Sequence, residues 1–299
     1  MVPSGGCARR HSERVSPTLV AGDAAGSKSP HDQAPAEQLP RRYVCRKTSQ
    51  TITIDGRLDE QAWKDANWTI PFIDIQGSHM PVPRFHTQAA MRWDDQNFYV
   101  AARLEEPHVW ASLTEHDQIV FHDNDFELFI DPDGDRENYY EIEINALGTI
   151  FDLLLERTYI DGGPARHEWQ LAGMQSAVHV DGTINDASDI DIGWTVEFAL
   201  PWKSLAEHAD TPSPPRPGDT WRVNFSRVQW KHMLVEVASA SNPARVHAYK
   251  SAEGATSQPS TKEVYARIFD TPEDNWVWCP QGTINMHLPE HWGLVTFVE

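Results

Sequence analysis

The sequence is short of basic residues and of long apolar runs, and each shortage excludes a class of protein. Its 299 residues include 25 Lys and Arg against 44 Asp and Glu, a formal net charge of −19. Proteins bind nucleic acid and anionic membrane surfaces mainly through Lys and Arg, so we expect no nucleic-acid partner. No apolar run reaches the roughly 18 residues that span a bilayer, so we also expect no membrane span.

Cysteine is scarce as well. Cys7, Cys45 and Cys279 match no zinc or haem-attachment spacing. Cys45 and Cys279 lie near the two ends of the predicted folded region, and two interpretations stay open: a disulfide if those ends are neighbours, or two reduced thiols. The N-terminal segment MVPSGGCARRHSERVSP lacks the apolar region of a secretory signal, and by itself it leaves the compartment undetermined.

Residues 1–42 are rich in Ser, Gly, Ala, Pro and charge and have no periodic apolar pattern, which predicts a disordered leader. Short segments of residues 43–299 alternate apolar and polar positions and are separated by turn sequences such as DPDGD. This pattern predicts an all-β domain, an antiparallel β-sandwich of jelly-roll or immunoglobulin-like type. Residues 242–263 predict a long surface loop.

Helical signals are few. LDEQAWKDA at 58–66 has Asp59 as a candidate N-cap, and PWKSLAEHA at 201–209 begins with a proline suited to a first helical position. We therefore expect one or two short helices within the sandwich.

Several predicted strands carry polar residues on the face opposite their apolar residues. Like charges directly opposite one another destabilise a sheet, so the glutamates need open water or a cation, from an arginine or calcium. One interpretation is a solvated face; the other is a concave surface where carboxylates and amides bind hydroxyl groups and aromatic rings cover a sugar. The polar set is Glu127, Glu141, Glu143, Asn145, Glu197, Arg222, Asn224 and Ser226.

Six segments in order carry a family resemblance. They are ITIDGRLDEQAW (52–63), MRWDDQNFYVAARLEEP (91–107), DNDFELFIDPDGDRENYYEIEIN (123–145), GWTVEFALPWKSL (193–205), PGDTWRVNFSRVQW (217–230) and DNWVWCPQGTINMHLPEHWGLVTF (274–297). Together they resemble the family 9 carbohydrate-binding modules, and in particular stand-alone, DOMON-related members. The resemblance implies a β-sandwich that binds a saccharide or sugar chain end without catalysis, in polysaccharide catabolism, beside a separate glycoside hydrolase. It implies a secreted or periplasmic location, although a cytoplasmic one stays open.

The family grips its sugar between two aromatic rings and polar residues of the adjoining strands. By motif matching, Glu127 falls on a sugar-contacting carboxylate and Asn145 on a sugar-contacting amide. Glu143 stands where the family has an arginine, and Ser226 where it has a glutamine. The family's glucose or cellobiose specificity is in doubt for this chain, because its aromatic clamp is reduced as well.

The two gripping tryptophans of the family match Phe121 and Met286, so one ring is smaller and the other is missing. Trp278 is our candidate for a replacement stacking ring, and Asn224 and Arg227 are candidate hydroxyl ligands. Of the other tryptophans, we expect Trp63, Trp194, Trp221 and Trp292 in the core, and Trp110, Trp230 and Trp276 at strand ends or in loops.

Asp131, Asp133 and Asp135 alternate in one turn, a spacing of oxygen ligands that suits calcium. The loop is not an EF-hand, and a charged hairpin turn is the alternative interpretation. The resembling family carries structural calcium, so we predict Ca²⁺ here.

Two other functions stay open. A saccharide-active enzyme of the glycoside hydrolase type would use glutamates such as Glu127, Glu143 and Glu197 as acid and base. A haem-binding electron-transfer module would need methionine and histidine ligands. Met91, Met233, Met286 and His287 are available for that role.

Overall fold

The computed structural model describes residues 40–186, 188–237, 262–268 and 271–299, and describes only the backbone of 233–237 and 262–267. The predicted leader and the predicted surface loop thus lie almost wholly outside the described residues.

Strands dominate the described part of the chain because segments with a period of two residues recur along it. They are β1 (Arg42–Lys47), β2 (Ile73–Asp74), β3 (Thr87–Trp93), β4 (Asn97–Glu105), β5 (Asp125–Asp131), β6 (Glu137–Asn145), β7 (Ile150–Arg157), β8 (Ala165–Arg166), β9 (Gln175–Asp181), β10 (Gly193–Pro201), β11 (Thr220–Gln229), β12 (His232–Val237), β13 (Lys262–Arg267), β14 (Asp274–Val277) and β15 (Gly293–Val298).

The two predicted helices exist but are single turns. Helix α1 spans Gln61–Lys64, and its N-cap is Glu60 rather than the predicted Asp59. Helix α2 spans Trp202–Leu205 with Pro201 at its N-cap. Short 3₁₀ helices occupy Val120–His122 and Pro289–His291. No helix within these described ranges is long and apolar enough to cross a membrane.

One continuous sheet runs in the order β8-β7-β6-β5-β11-β15-β1-β3-β4-β10-β9, and β14 extends it from β11 to β2. The sheet curls so that its two halves face each other, which confirms the predicted β-sandwich. It is mixed rather than purely antiparallel, because β1 pairs in parallel with β15 and with β3. Strands β12 and β13 form a separate hairpin.

The main core fills the space between the two halves. Phe126 of β5 stacks on Phe198 of β10 with ring centroids 6.4 Å apart, and on Phe225 of β11 at 5.7 Å. Cys45 and Cys279 are buried in this core as free thiols, so the disulfide interpretation is wrong.

A second apolar cluster lies on the outer face of the β5–β7 half. These apolar side chains partly shield the face from water, and some of them form the walls of a cavity. The cluster consists of Ile75, Val120, Phe129, Tyr139, Phe151, Leu153, Leu155, Val277, Met286 and Trp292.

Candidate functional site

The outer face of β5 and β6 is the most unusual surface of the described structure. Successive side chains of a strand point to opposite faces, so the apolar Phe126 and Leu128 enter the main core while Glu127 and Phe129 point outward. Strand β6 alternates in the same phase, because Glu143 is paired directly with Glu127.

This face forms the floor of a cavity of about 410 Å³. The volume is within the range of roughly 300–1,000 Å³ of small-molecule sites. Carboxylates lie on the floor, and aromatic and aliphatic side chains form the walls. The lining residues are Ile75, Ile119, Phe121, Glu127, Phe129, Glu141, Glu143, Phe151, Leu153, Tyr159, His167, Val228, Glu273, Asn275, Ile284, Asn285, Met286 and His287.

The three floor glutamates are buried: Glu127, Glu141 and Glu143 are 5%, 6% and 3% exposed. Loss of hydration disfavours a charged carboxylate, and this raises the pKa of Glu127 to about 7. Burial, followed by repulsion from Glu127, holds the pKa values of Glu141 and Glu143 well above the usual 4.5. The solvated-face interpretation of these residues is therefore wrong.

The described lining contains two basic residues, His167 and His287, and neither Lys nor Arg. Burial lowers the pKa of His287 to about 4, so its imidazole is neutral at pH 7. The floor thus brings three carboxyl groups together without a permanently charged basic side chain in the lining, and this arrangement suits hydroxyl groups or a bound cation.

Glu143 also positions one wall of the cavity. Its Oε2 accepts a hydrogen bond of 2.9 Å from the backbone N–H of Phe121, in the 3₁₀ helix Val120–His122. The Phe121 ring is thereby held at the rim, where it is 37% exposed. A second rim ring belongs to Tyr159, which is 51% exposed and packs edge-on against His287 with ring centroids 4.6 Å apart. The sequence pattern does not single out Tyr159, because its only signal is that an aromatic residue precedes the turn sequence DGG.

Of the predicted ligand residues, Phe121, Glu127, Glu143 and Met286 line the cavity. Ser226 lies beside Glu127 on the same face of the sheet, because the two residues are paired across strands β11 and β5. The structure thus brings these five predicted positions together.

Two of the predicted ligand residues have side-chain amides that form hydrogen bonds inside the fold instead of facing the cavity. Asn145 donates to the carbonyl oxygen of Leu113 and to Asp123, and its Oδ1 accepts two backbone N–H groups. Asn224 donates to the carbonyl oxygen of Cys279 and accepts its N–H. Both amides are buried and held by these bonds within the framework, so neither is exposed to a ligand in this structure.

Arg227 and Trp278 are also placed away from the cavity. Arg227 extends to the opposite face of β11, where it donates to Gln229 and Thr87 and pairs with Glu106 at 3.4 Å. Trp278 packs edge-on against Tyr43 inside the core, so it has no free face for stacking. All of the other tryptophans assigned above are buried too, including Trp110, Trp230 and Trp276, which we expected at strand ends or in loops, so none of these three presents an open stacking surface.

Glu197 does not join the other glutamates. It lies on β10, where its carboxylate accepts hydrogen bonds from the N–H of Asp55 at 3.1 Å, the N–H of Gly56 at 2.8 Å and Trp63 Nε1 at 2.6 Å. Its role is to anchor the segment before α1. Arg222 donates to the carbonyl oxygen of Glu290 and forms no ion pair with the floor glutamates within the described residues.

The aspartates of the DPDGD turn do converge, with one oxygen of each of Asp131, Asp133 and Asp135 within 4.8 Å of the others. Both oxygens of Asp131 already accept backbone hydrogen bonds, from Gly134 at 2.8 Å and Arg136 at 3.1 Å. The turn is therefore closed by its own bonds, and calcium at this place stays a prediction.

The model of the family described as carbohydrate family 9 binding domain-like matches residues 54–214, more than half of the 299 residues. The chain belongs to this family. The resemblance of the six sequence segments is thereby confirmed at the level of the family, and membership supports carbohydrate binding without catalysis.

Solved structures agree in fold. A family 9 carbohydrate-binding module from Caldicellulosiruptor kristjanssonii, in complex with cellotriose, has a TM-score of 0.51 and 13% identity over 86% of this chain and 94% of that chain. A proposed carbohydrate-binding protein from Bacteroides uniformis has a TM-score of 0.55 and 16% identity, over 86% of this chain and 99% of that one. At these identities the likeness shows the fold alone. Among curated protein sequences no match is found.

Proposed function

We propose that this chain binds a saccharide, without a chemical step, in the cavity above Glu127, Glu141 and Glu143. One observation carries the proposal beyond family membership: exposed aromatic rings stand at the rim of a cavity whose floor is carboxylate. Sugars combine apolar ring faces with many hydroxyl groups, and this arrangement offers a partner to each.

The rings of Phe121 and Tyr159 would cover the apolar faces of the sugar, and the floor carboxylates would accept its hydroxyl hydrogen bonds. A carboxyl group accepts such bonds when it is ionised, and it can also donate one when it is protonated. The buried floor would strengthen such bonds, because little water competes there.

A glycan panel tested by calorimetry on the full chain examines this proposal. Oligosaccharides of the glucan type come first, because the similar Caldicellulosiruptor module was solved with cellotriose. The double variant Phe121→Ala/Tyr159→Ala removes both rim rings, and we expect affinity to fall at least about tenfold, equivalent to about 1.4 kcal/mol. Ile70→Ala is the matched control, because Ile70 is 58% exposed and lies outside the cavity. Equal affinity in the double variant and wild type would refute the assignment.

The same experiment distinguishes binding from hydrolysis. A pair of carboxyl groups, one of them with a raised pKa, is also what a glycosidase uses as acid and base. We expect chromatography to show that the recovered glycan is intact. Shortened products would show that the chain hydrolyses the glycan and would refute binding without a chemical step.

The finer features of the resemblance belong to the same proposal. We infer a stand-alone, DOMON-related module that acts in polysaccharide catabolism beside a separate glycoside hydrolase, with structural calcium. The support is the order of the six segments, together with the general benefit of holding an enzyme near its polymer.

A further inference from the structure

Three acidic side chains meet at one end of the cavity floor. Asp125 and Glu127 follow each other on the outer face of β5, and Glu143 is paired with Glu127 across β6. One oxygen of each carboxylate lies within 4.8 Å of the others, and the residues are 0%, 5% and 3% exposed. Within the described residues, no lysine or arginine forms an ion pair with any of them.

Two buried oxygen atoms at this place lack a hydrogen bond of normal geometry. Asp125 Oδ1 accepts the N–H of Val228 at 3.1 Å, but its Oδ2 has no partner. The hydroxyl of fully buried Ser226 interacts with Glu127 from the neighbouring strand but forms no hydrogen bond of normal geometry. Buried polar atoms are nearly always satisfied in native proteins, so Asp125 Oδ2, together with this incompletely bonded hydroxyl, indicates a ligand site.

The nearest buried guanidinium is not that occupant. Arg227 follows Ser226 on β11 and therefore points to the opposite face of the strand. Its donors are taken by Gln229 and Thr87, and its charge is shared with Glu106.

A small cation fits better than a charged group on a sugar. Asp125 is fully buried and does not line the cavity, so a ligand amine could not reach it. All the donor atoms are oxygens, which Ca²⁺ and Mg²⁺ prefer. Mg²⁺ usually keeps several waters and takes only one or two carboxylates, whereas Ca²⁺ accepts a larger set of protein oxygens, so three converging buried carboxylates favour calcium.

We propose that Asp125, Glu127, Glu143 and Ser226 bind one divalent cation, with Ca²⁺ as the best fit, at the floor of the cavity. This site is separate from the aspartates of the DPDGD turn. Since Glu127 and Glu143 also line the cavity, the ion would present free coordination positions to sugar hydroxyls. That last consequence rests on the proposed function, whereas the cation site itself does not.

The test is calorimetric titration of the chelator-treated full chain with CaCl₂ and no glycan. To remove the turn as a second site, the parent protein carries Asp133→Asn and Asp135→Asn, both at exposed positions. We expect this parent to bind one Ca²⁺. Adding Asp125→Asn, which keeps an acceptor for the N–H of Val228, should weaken binding at least tenfold.

A second variant guards against misfolding. Ser226→Ala removes no charge, and we expect a smaller but measurable loss of calcium affinity in it, with an unchanged circular dichroism spectrum. A parent that binds no calcium would overturn the proposal, as would a folded Asp125→Asn variant that binds calcium like its parent. Because no glycan is present, neither result depends on saccharide binding.

Discussion

Replacing Glu127 by glutamine should make the protein more stable at alkaline pH. Glu127 is 5% exposed on the cavity floor, beside the equally buried Glu143. Burial raises its pKa from 4.5 to about 7 in the folded chain. The folded state therefore binds this proton more tightly than the unfolded chain does. The stabilising contribution is complete below pH 4.5 and is lost as pH rises through about 7.

The size of the effect follows from the two pKa values. From 4.5 to about 7 is a span of about 2.5 pH units. At about 1.4 kcal/mol per unit this corresponds to ~3 kcal/mol of unfolding free energy. Glutamine has nearly the same shape, keeps an acceptor next to Ser226 and never ionises. Relative to wild type, the Glu127→Gln variant should thus gain ~3 kcal/mol between pH 4.5 and pH 8.

Urea unfolding at a series of pH values, followed by tryptophan fluorescence in the presence of EDTA, measures this difference. EDTA removes any divalent cation that would offset the charge. Glu168→Gln is the matched control, because Glu168 is exposed and its loss changes the net charge equally. A stability difference between Glu127→Gln and wild type that does not vary with pH would refute the claim that the floor carboxylate is desolvated.

Two further predictions concern packing away from the cavity. Glu197→Ala leaves three donors without their acceptor, the part-buried N–H of Asp55 and the buried N–H of Gly56 and Trp63 Nε1, and should cost about 3 kcal/mol. Urea unfolding measures that loss, and glycan affinity should stay at the wild-type value; a parallel loss of affinity would contradict the assigned role. Gly293→Ala would place a Cβ 2.2 Å from the buried ring of Trp278. We expect a destabilisation of about 1–3 kcal/mol, and an unchanged melting temperature would show that the ring can move aside.

Local patterns were sufficient to predict which face of each strand is apolar. A period of two residues alone decides that Phe126 and Leu128 point one way and Glu127 the other, whatever the strand pairs with. Strands β5 and β6 are joined by one short turn, a connection that favours antiparallel pairing. For these reasons the sandwich and the glutamate row on its outer face were both predictable.

The side chains that cover the outer face of the β5–β7 half come from residues far apart in sequence. Glu127 is buried because Ile75, Met286 and Trp292 join the outer cluster from both ends of the domain, and no local pattern reports that. The pKa values of the glutamates, and the cavity itself, depend on this cover.

The amides and tryptophans illustrate the same limit. Asn145 and Asn224 have the polarity of ligand residues, but both side-chain amides form hydrogen bonds with backbone groups far away in the sequence. Trp278 has the sequence position of a loop residue, yet the backbone carries its ring into the core beside Tyr43. The sequence by itself therefore determined the strands, their faces and the family. Only the tertiary structure decided which polar groups remain unsatisfied, because hydrogen bonding and hydration depend on neighbours that the chain brings together from a distance.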